Sequence, residues 1–188
     1  MTTVAADEEL IILVDPEDRE VGVAPKRPVH VLGLRHRAFS IVLTDDSGRM
    51  LLQRRAFGKY HSPGLWANSC CGHPRPGESI HEAAVRRARE ELGVVVTLRE
   101  IGTFAYRAAV GDMMIEHEID HVLVGSVGSD VRPDAREVAE LEWRFLDDTR
   151  RDLRRNPERY APWLGGVLRT LDLLTRTAVP ASGRPAML

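Results

Sequence analysis

Cysteine is scarce in this chain, and the two residues present, Cys70 and Cys71, are adjacent in sequence. That arrangement excludes a disulfide framework and a Cys-X-X-Cys metal site, and it is typical of a reducing compartment, where a thiol stays free. Strong charge of one sign is also lacking, because the net charge is −2 at pH 7. We therefore expect no nucleic-acid partner, and any anion must be bound by a local cluster of basic residues.

Long hydrophobic runs are missing as well. The apolar stretch at residues 10–14 is too short for a signal-peptide core or a membrane span, and no basic residue precedes it. We expect a cytoplasmic protein with no membrane association, either a monomer or a homodimer. The length suits one domain, expected at residues 1–178, with a flexible tail at residues 179–188.

Local patterns predict strands mixed with helices, which indicates an α/β (α+β) fold with a mixed sheet. Residues 21–28 are expected to be extended and to end in a loop interrupted by Pro28. The Pro- and Gly-rich run at residues 70–78 is expected to be irregular. Strands are predicted at residues 10–15, 38–44, 50–54, near 66, 94–98, 102–109, 116–125 and 141–145, and helices at 149–156 and 163–174.

The clearest helix is predicted between Ser79 and Gly93. Ser79 and Glu82 have the spacing of a capping box, in which each side chain bonds the backbone N–H of the other residue. Gly93 stands where a left-handed residue commonly ends a helix. The apolar stripe at i, i+4 spacing consists of Ile80, Ala84, Ala88 and Leu92.

The stretch around this helix, GHPRPGESIHEAAVRRAREELGV at residues 72–94, resembles the signature of the Nudix family. That signature joins a tight loop to a helix whose carboxylates face a diphosphate through a divalent cation. The resemblance implies a single Nudix-type domain with a mixed β-sheet flanked by helices. The matching positions are Gly72, Glu78, Arg86, Glu90, Glu91, Gly93 and Val94, with Ala88 in the apolar position.

One position departs from the hydrolase form of the signature. Nudix hydrolases have a glutamate where this chain has Arg87, and that glutamate helps to hold the metals that activate water. Arg87 lies four residues before Glu91, so the two side chains are neighbours on one helix face. A guanidinium binds phosphate oxygens but cannot ligate a metal. The substitution therefore favours binding of a diphosphate without its cleavage.

The flanking sequence resembles a narrower family, the type 1 isopentenyl-diphosphate isomerases, over residues 20 to 165. In that family the double bond of a five-carbon alkene diphosphate moves by one carbon, through protonation of the alkene and loss of another proton. The resemblance implies interconversion of isopentenyl and dimethylallyl diphosphate for isoprenoid biosynthesis. The matching runs are HRAFS (36–40), LLQRRAFGKY to PGLWAN (51–68), NSCCGHP (68–74), FAYRA (104–108), EHE (116–118) and YAPW (160–163).

The resemblance implies two metal ions. One Mn²⁺, Mg²⁺ or Zn²⁺ would be held by His30, His36, His73, Glu116 and Glu118. Three imidazoles and two carboxylates suit Mn²⁺ or Zn²⁺ better than Mg²⁺. A second ion, Mg²⁺, would bridge the substrate diphosphate to Glu91 and to the backbone carbonyl of Cys71.

The resemblance also implies which residues act on the substrate. Cys71 and Glu118 would form an acid–base pair on opposite sides of the alkene, and either could be the acid. Tyr106 would relay or stabilise the proton, and Trp163 would offer its ring face to the carbocation. The diphosphate would be bound by Lys26, Arg55, Lys59 and Arg87.

The remaining histidines and Cys70 receive no functional role. We expect Cys70 to be a packing residue and His117 to point away from its two glutamate neighbours, while His61, His81 and His121 are treated as ordinary core or surface residues. Two other functions compete with the isomerase. A Nudix hydrolase would explain the helix but not Cys71 or Arg87, and a binding module would lack a complete acid–base pair.

Overall fold

The computed structural model describes residues 9–111 and 113–177, which form nine strands and four helices. The predicted tail at residues 179–188 lies outside this range. The strands are β1 (Leu10–Val14), β2 (Glu20–Pro25), β3 (His36–Thr44), β4 (Met50–Arg55), β5 (Trp66–Ala67), β6 (Cys70–Gly72), β7 (Arg99–Ala109), β8 (Ile115–Ser126) and β9 (Val138–Arg144). The helices are α1 (Lys26–Leu32), α2 (Ile80–Leu92), α3 (Leu146–Arg155) and α4 (Leu164–Thr177), with a 3-10 turn at Pro157–Arg159.

Strand β3 lies at the centre of one mixed sheet. It runs parallel to β8, with His36 opposite Glu118 and Thr44 opposite Ser126, and antiparallel to β1, β4 and β6. The other antiparallel pairs are β2 with β1, β7 with β8, and both β5 and β9 with β4. The predicted mixed sheet is therefore confirmed.

A helix covers each face of this sheet. On one face, Phe39 and Ile41 of β3 lie in a buried cluster with Ala88 and Leu92 of α2. On the other face, a second buried cluster joins β3, β4 and β8 to α4. Because successive residues of a strand point to opposite faces, β3 contributes to both clusters. This layered arrangement confirms the predicted α/β class. No helix in the described ranges has the length and the apolar composition to cross a membrane.

Helix α2 forms as its sequence predicts. The Ser79 hydroxyl accepts a hydrogen bond from the Glu82 N–H at 3.2 Å, and the Glu82 carboxylate accepts one from the Ser79 N–H at 2.9 Å. Gly93 ends the helix at φ +67°, where a Cβ would lie 2.8 Å from the Arg132 carbonyl oxygen. The two caps determine where α2 begins and ends. Glu91 lies in its last turn and is 3% exposed.

Residues 21–28 were predicted to be extended and to end in a loop, but the strand ends at Pro25 and helix α1 begins at Lys26, so that part of the prediction is wrong. Pro28 is the third residue of α1, within the first turn, where a backbone N–H has no partner inside the helix. Gly33 ends α1 in the left-handed region at φ +62°. The helix matters for function because it carries His30, whose side chain is completely buried.

Two other local predictions are also wrong. Residues 94–98 form no strand, because Val94, Val96 and Leu98 are buried in the core cluster without pairing to a neighbouring strand. Buried and exposed residues alternate over 94–98 as they do in a strand, which explains the wrong prediction. The run predicted to be irregular contains β6, which pairs antiparallel with β3 so that Cys71 stands opposite Ser40. That pairing brings the predicted catalytic cysteine to the middle of the sheet.

Candidate active site

The predicted site residues surround one cavity of about 190 Å³. It is bounded by α1, β3, the segment that links β4 to β5, β6, α2, β7 and β8. His30 and His36 are completely buried, and both contact Glu116, which lines the cavity. The other predicted residues all line the cavity: Lys26, Arg55, Lys59, Cys71, His73, Arg87, Glu91, Tyr106, Glu116, Glu118 and Trp163.

Strand geometry places the two carboxylates on one face of the sheet. Glu116 and Glu118 are two apart on β8, so their side chains point the same way. Both are buried, at 2% and 6% exposure. The parallel neighbour β3 begins at His36, directly opposite Glu118. His73 follows β6, and His30 approaches from α1, so three separate elements bring imidazoles to the carboxylates.

Four of these side chains converge closely enough to share one metal ion. Ligand atoms of His30, His36, His73 and Glu116 all lie within 4.8 Å of one another. The Oε2 atom of Glu116 is 3.1 Å from Nε2 of His30 and 3.3 Å from Nε2 of His36. Glu118 joins the group, because its Oε1 atom is 3.3 Å from Nε2 of His36 and 3.0 Å from Nε2 of His73.

Backbone carbonyls orient two of the imidazoles. Nδ1 of His30 lies 2.6 Å from the Lys26 carbonyl oxygen, and Nδ1 of His36 lies 2.9 Å from the Leu34 carbonyl oxygen. An Nδ1–H that donates to a carbonyl leaves Nε2 to face the centre, which is the usual arrangement in metal-binding histidines. The cluster is therefore preorganised to hold a divalent cation.

The electrostatics of the cluster also favour a cation. Burial opposes ionisation of Glu116, but the adjacent imidazoles of His30 and His36 keep the pKa of its carboxyl well below the usual range. Burial likewise opposes the charge on His36, yet Glu116 and Glu118 raise the pKa of its imidazole to about 10. Nε2 of His36 and Oε2 of Glu116 are buried without a hydrogen-bond partner among the described residues. Such atoms fit a divalent ion that both would ligate.

Glu118 connects this cluster to the predicted proton-transfer residues. Its Oε2 atom accepts a 2.7 Å hydrogen bond from the Tyr106 hydroxyl, which stands opposite it in the register of β7 and β8. Burial, and then the charge of Glu118, raise the pKa of Tyr106 well above its ordinary value. Tyr106 therefore stays protonated and can act as a donor to Glu118.

Cys71 is held as a neutral thiol. Its Sγ atom donates to Oδ1 of Asn68 at 3.2 Å and lies 3.7 Å from Oγ of Ser40. Burial, with a smaller contribution from Asp120, raises the pKa of the thiol to about 12. The same Asn68 oxygen accepts a 3.2 Å hydrogen bond from Nε1 of Trp163, so the amide positions both residues.

A buried pair behind Cys71 was not predicted from the sequence. The Ser40 hydroxyl donates to Oδ2 of Asp120 at 2.8 Å, and burial raises the pKa of Asp120 well above its ordinary value. Asp120 shares the β8 face of Glu116 and Glu118. The sequence did hold a signal for Asp120, because it follows Glu118 by two residues and so continues the alternation that puts Glu116 and Glu118 on one face of the strand.

The predicted diphosphate-binding residues form a basic wall on one side of the cavity. Each is currently paired with an oxygen of the protein. Lys26 contacts Glu9 at 2.7 Å, Arg87 lies 3.3 Å from Glu137, and Lys59 also pairs with Glu137. Arg55 donates to the carbonyls of His61 and Ser62 and packs its guanidinium 5.3 Å from the ring centre of Trp163. A diphosphate can replace these carboxylate partners.

His61 also lines the cavity, although it was treated as an ordinary residue in the sequence. Its side chain is 6% exposed, and Nε2 lies 3.1 Å from Oε1 of Glu116. Burial lowers the pKa of its imidazole to about 3. His61 does not stand at a metal-ligand spacing from another histidine or carboxylate. The sequence pointed to it only through its place in the isomerase-like run at residues 51–68.

The other histidines lie away from the ligand cluster. His117 faces the Gly33 carbonyl, His121 pairs with Asp18 and Glu100, and His81 is exposed on α2.

Known proteins resemble the chain in both sequence and fold. The family model for the NUDIX domain matches residues 34–164. The isopentenyl-diphosphate Delta-isomerase of Serratia proteamaculans is 45% identical over 87% of this chain and 92% of that protein. The isomerase of the same name from Nocardia farcinica is 48% identical over 87% of this chain and 95% of that protein.

Solved structures agree with the fold. The DR0079 protein of Deinococcus radiodurans superimposes with a TM-score of 0.69, at 20% identity, over 86% of this chain and 98% of that one. At that identity the likeness establishes the fold alone. The sequence relatives establish the narrower grouping, since they cover nearly the whole of both chains. This chain therefore belongs to the Nudix family and, within it, to the isopentenyl-diphosphate Delta-isomerases.

Proposed function

We propose that this chain interconverts isopentenyl diphosphate and dimethylallyl diphosphate, by proton transfer at the alkene, for isoprenoid biosynthesis. The observation that carries the proposal is that Cys71 and Glu118 line the same buried cavity, each held by its own hydrogen-bond partners. The relatives at 45% and 48% identity bear the name of this activity. A proton shift needs two such groups and no redox cofactor.

The two sides of the cavity suit the two ends of the substrate. Lys26, Arg55, Lys59 and Arg87 form a basic wall for the diphosphate. Guanidinium groups bind phosphate oxygens in pairs, whereas each ammonium adds a point charge. Glu91, which pairs with Arg87 of this wall, and the backbone carbonyl of Cys71 would hold a Mg²⁺ that neutralises charge on the diphosphate. The hydrocarbon end then lies toward Tyr106, Trp163 and the acid–base pair.

The imidazole–carboxylate cluster would hold the second divalent ion. His30, His36, His73, Glu116 and Glu118 are the candidate ligands, and this donor set favours Mn²⁺ or Zn²⁺ over Mg²⁺. When bound, such an ion supplies the positive charge that keeps Glu118 in place and tunes the acidity of any proton it carries. Tyr106 holds the other oxygen of Glu118 from the cavity side.

The proton chemistry then falls to Cys71 and Glu118. In the forward direction one group delivers a proton to the terminal alkene carbon, which leaves a tertiary carbocation-like species, and the other group removes a proton from the carbon on the diphosphate side of the cationic centre. In the reverse reaction the two groups exchange roles, so both must flank the alkene. General acid–base catalysis of this kind contributes roughly 10² to 10⁴ in rate.

Exclusion of water protects the cationic intermediate, because water would convert it to an alcohol. The walls near the reacting carbons are buried, with Trp163 at 4% and Glu118 at 6% exposure. The ring of Trp163 also offers a π face that stabilises positive charge. The indole is held in place by its hydrogen bond to Asn68.

Hydrolysis of a nucleoside diphosphate derivative is less well supported. Arg87 occupies the position at which the hydrolase signature has a metal-binding glutamate, and it pairs with Glu90, Glu91 and Glu137. A half-buried cation there repels a metal ion and attracts phosphate. The same arrangement supports binding of the diphosphate without its cleavage.

Placement in the cell and assembly remain predictions. We infer one catalytic domain over residues 1–178, working in the cytoplasm. All candidate ligands and proton-transfer groups come from one chain, so a monomer suffices for catalysis, and a homodimer would contain two independent sites.

The activity is tested by incubating the protein with isopentenyl diphosphate, Mg²⁺ and Mn²⁺ in D₂O and following the ¹H and ³¹P NMR signals. We expect dimethylallyl diphosphate that carries deuterium, with no release of phosphate. Release of phosphate without isomerisation would instead identify a hydrolase. Unchanged substrate signals in the presence of bound metal would contradict both activities.

Removal of either proton-transfer group tests the pair. We expect Cys71→Ala and Glu118→Gln each to lower kcat by at least about 10³-fold, because each variant lacks one half of the acid–base pair. Melting curves serve as the control for folding. Turnover within about tenfold of wild type in either folded variant would remove that residue from the chemistry.

The basic wall is tested at Arg87. We expect Arg87→Glu to raise KM for isopentenyl diphosphate by about 10-fold or more, since the variant replaces an attraction to the diphosphate by a repulsion. Arg89→Glu is the matched control, because it makes the same charge change on an exposed position of α2. Equal KM values for the two variants would show that Arg87 does not bind the diphosphate.

A further inference from the structure

His61 is built into the site but belongs to neither the predicted ligand set nor the proton-transfer pair. The four ligand atoms that lie within 4.8 Å of one another come from His30, His36, His73 and Glu116. His61 lies in the segment between β4 and β5, and its Nε2 atom is 3.1 Å from Oε1 of Glu116. That distance is typical of an N–H group that donates to a carboxylate.

The two oxygens of Glu116 have different surroundings. Oε2 faces the ligand cluster, at 3.1 Å from Nε2 of His30 and 3.3 Å from Nε2 of His36. Oε1 faces His61. A donor at Nε2 of His61 is therefore close enough to orient the carboxylate and leave the other oxygen facing the ligand cluster.

The position of His61 is determined by contacts on both its backbone and its ring. Arg55 donates to the His61 carbonyl oxygen at 3.2 Å, and to that of the next residue, Ser62, at 3.2 Å. Ser62 adopts φ +47°, in the left-handed region that non-glycine residues seldom occupy. The ring stacks on His30 at 5.6 Å between centroids and stands edge-on to Trp163 at 6.2 Å.

In the part of the chain that the structure describes, the His61 ring has a close polar contact at Nε2 only, the one with Glu116. Nδ1 of His61 is buried and has no hydrogen-bond partner among the described residues. Burial of an imidazole is costly unless its polar atoms are satisfied. The contact between Nε2 and Glu116 is therefore the interaction that accounts for a polar ring at this point of the wall.

We propose that His61 is a positioning residue for the metal centre, donating from Nε2 to Oε1 of Glu116 and so holding Oε2 toward the ion. This role rests on the metal site of the proposed function. Partners that orient a metal ligand in this way usually contribute about 10- to 100-fold to metal affinity. His61 thereby couples the segment between β4 and β5, which also carries Lys59 of the basic wall, to the ligand cluster.

Substitutions of His61 distinguish the loss of its hydrogen-bond donor from the loss of its packing. His61→Phe keeps a ring of similar size but removes the donor. His61→Gln keeps a donor at nearly the position of Nε2, whereas the amide of His61→Asn is too short to reach Glu116. His81→Phe makes the same change as His61→Phe at an exposed position of α2 and serves as the control.

The readout is the dissociation constant for Mn²⁺, measured on metal-free protein from the EPR signal of free Mn²⁺. We expect about 10- to 100-fold weaker binding for His61→Phe and His61→Asn, and near wild-type binding for His61→Gln and His81→Phe. If His61→Phe does not fold, as judged from its melting curve, His61→Asn decides the question.

Unchanged affinity in a folded His61→Phe or His61→Asn variant would overturn the role of His61 and leave the isomerase proposal intact. Equal losses in His61→Gln and His61→Phe would also overturn it, because the donor would then be irrelevant. A wild-type protein that binds no Mn²⁺ would instead remove the metal centre itself, and the role of His61 with it.

Discussion

Burial of two carboxylates, Glu116 and Glu118, is the constraint on which the rest of the site depends. Removing a charged group from water costs several kcal/mol, even after the protein relaxes. The fold offsets this cost by directing imidazoles at the carboxylates from α1, β3, the end of β6 and the segment between β4 and β5, and a phenol from β7. A divalent cation is the charge that this arrangement best accommodates.

The strand pairings of the sheet bring the groups around these carboxylates together. Parallel pairing of β3 with β8 sets His36 opposite Glu118, while antiparallel pairing of β6 with β3 sets Cys71 opposite Ser40. One central strand thus fixes the distance between the ligand cluster and the thiol. Helix α2 also borders the cavity, which its residues Arg87 and Glu91 line. At the position where the hydrolase signature has a metal-binding glutamate, this helix presents the Arg87 cation to the cavity.

The sequence predicted the features that depend on local spacing. The capping box defined α2, and alternation placed Glu116 and Glu118 on one face of β8. Helix α1 and the role of His61 were not predicted, for different reasons. Helix α1 was missed because Pro28 resembles a helix breaker although the first turn tolerates it. His61 was missed because its burial arises from packing against His30 and Trp163, which are far away in sequence.

The central claim is that the buried carboxylates and imidazoles form one metal centre beside the thiol. A crystal structure of the protein with Mn²⁺, with anomalous diffraction recorded near the manganese edge, tests this most directly. We expect one strong anomalous peak coordinated by His30, His36, His73, Glu116 and Glu118. An anomalous peak confined to Glu90 and Glu91 on α2, with the imidazole cluster empty, would contradict it.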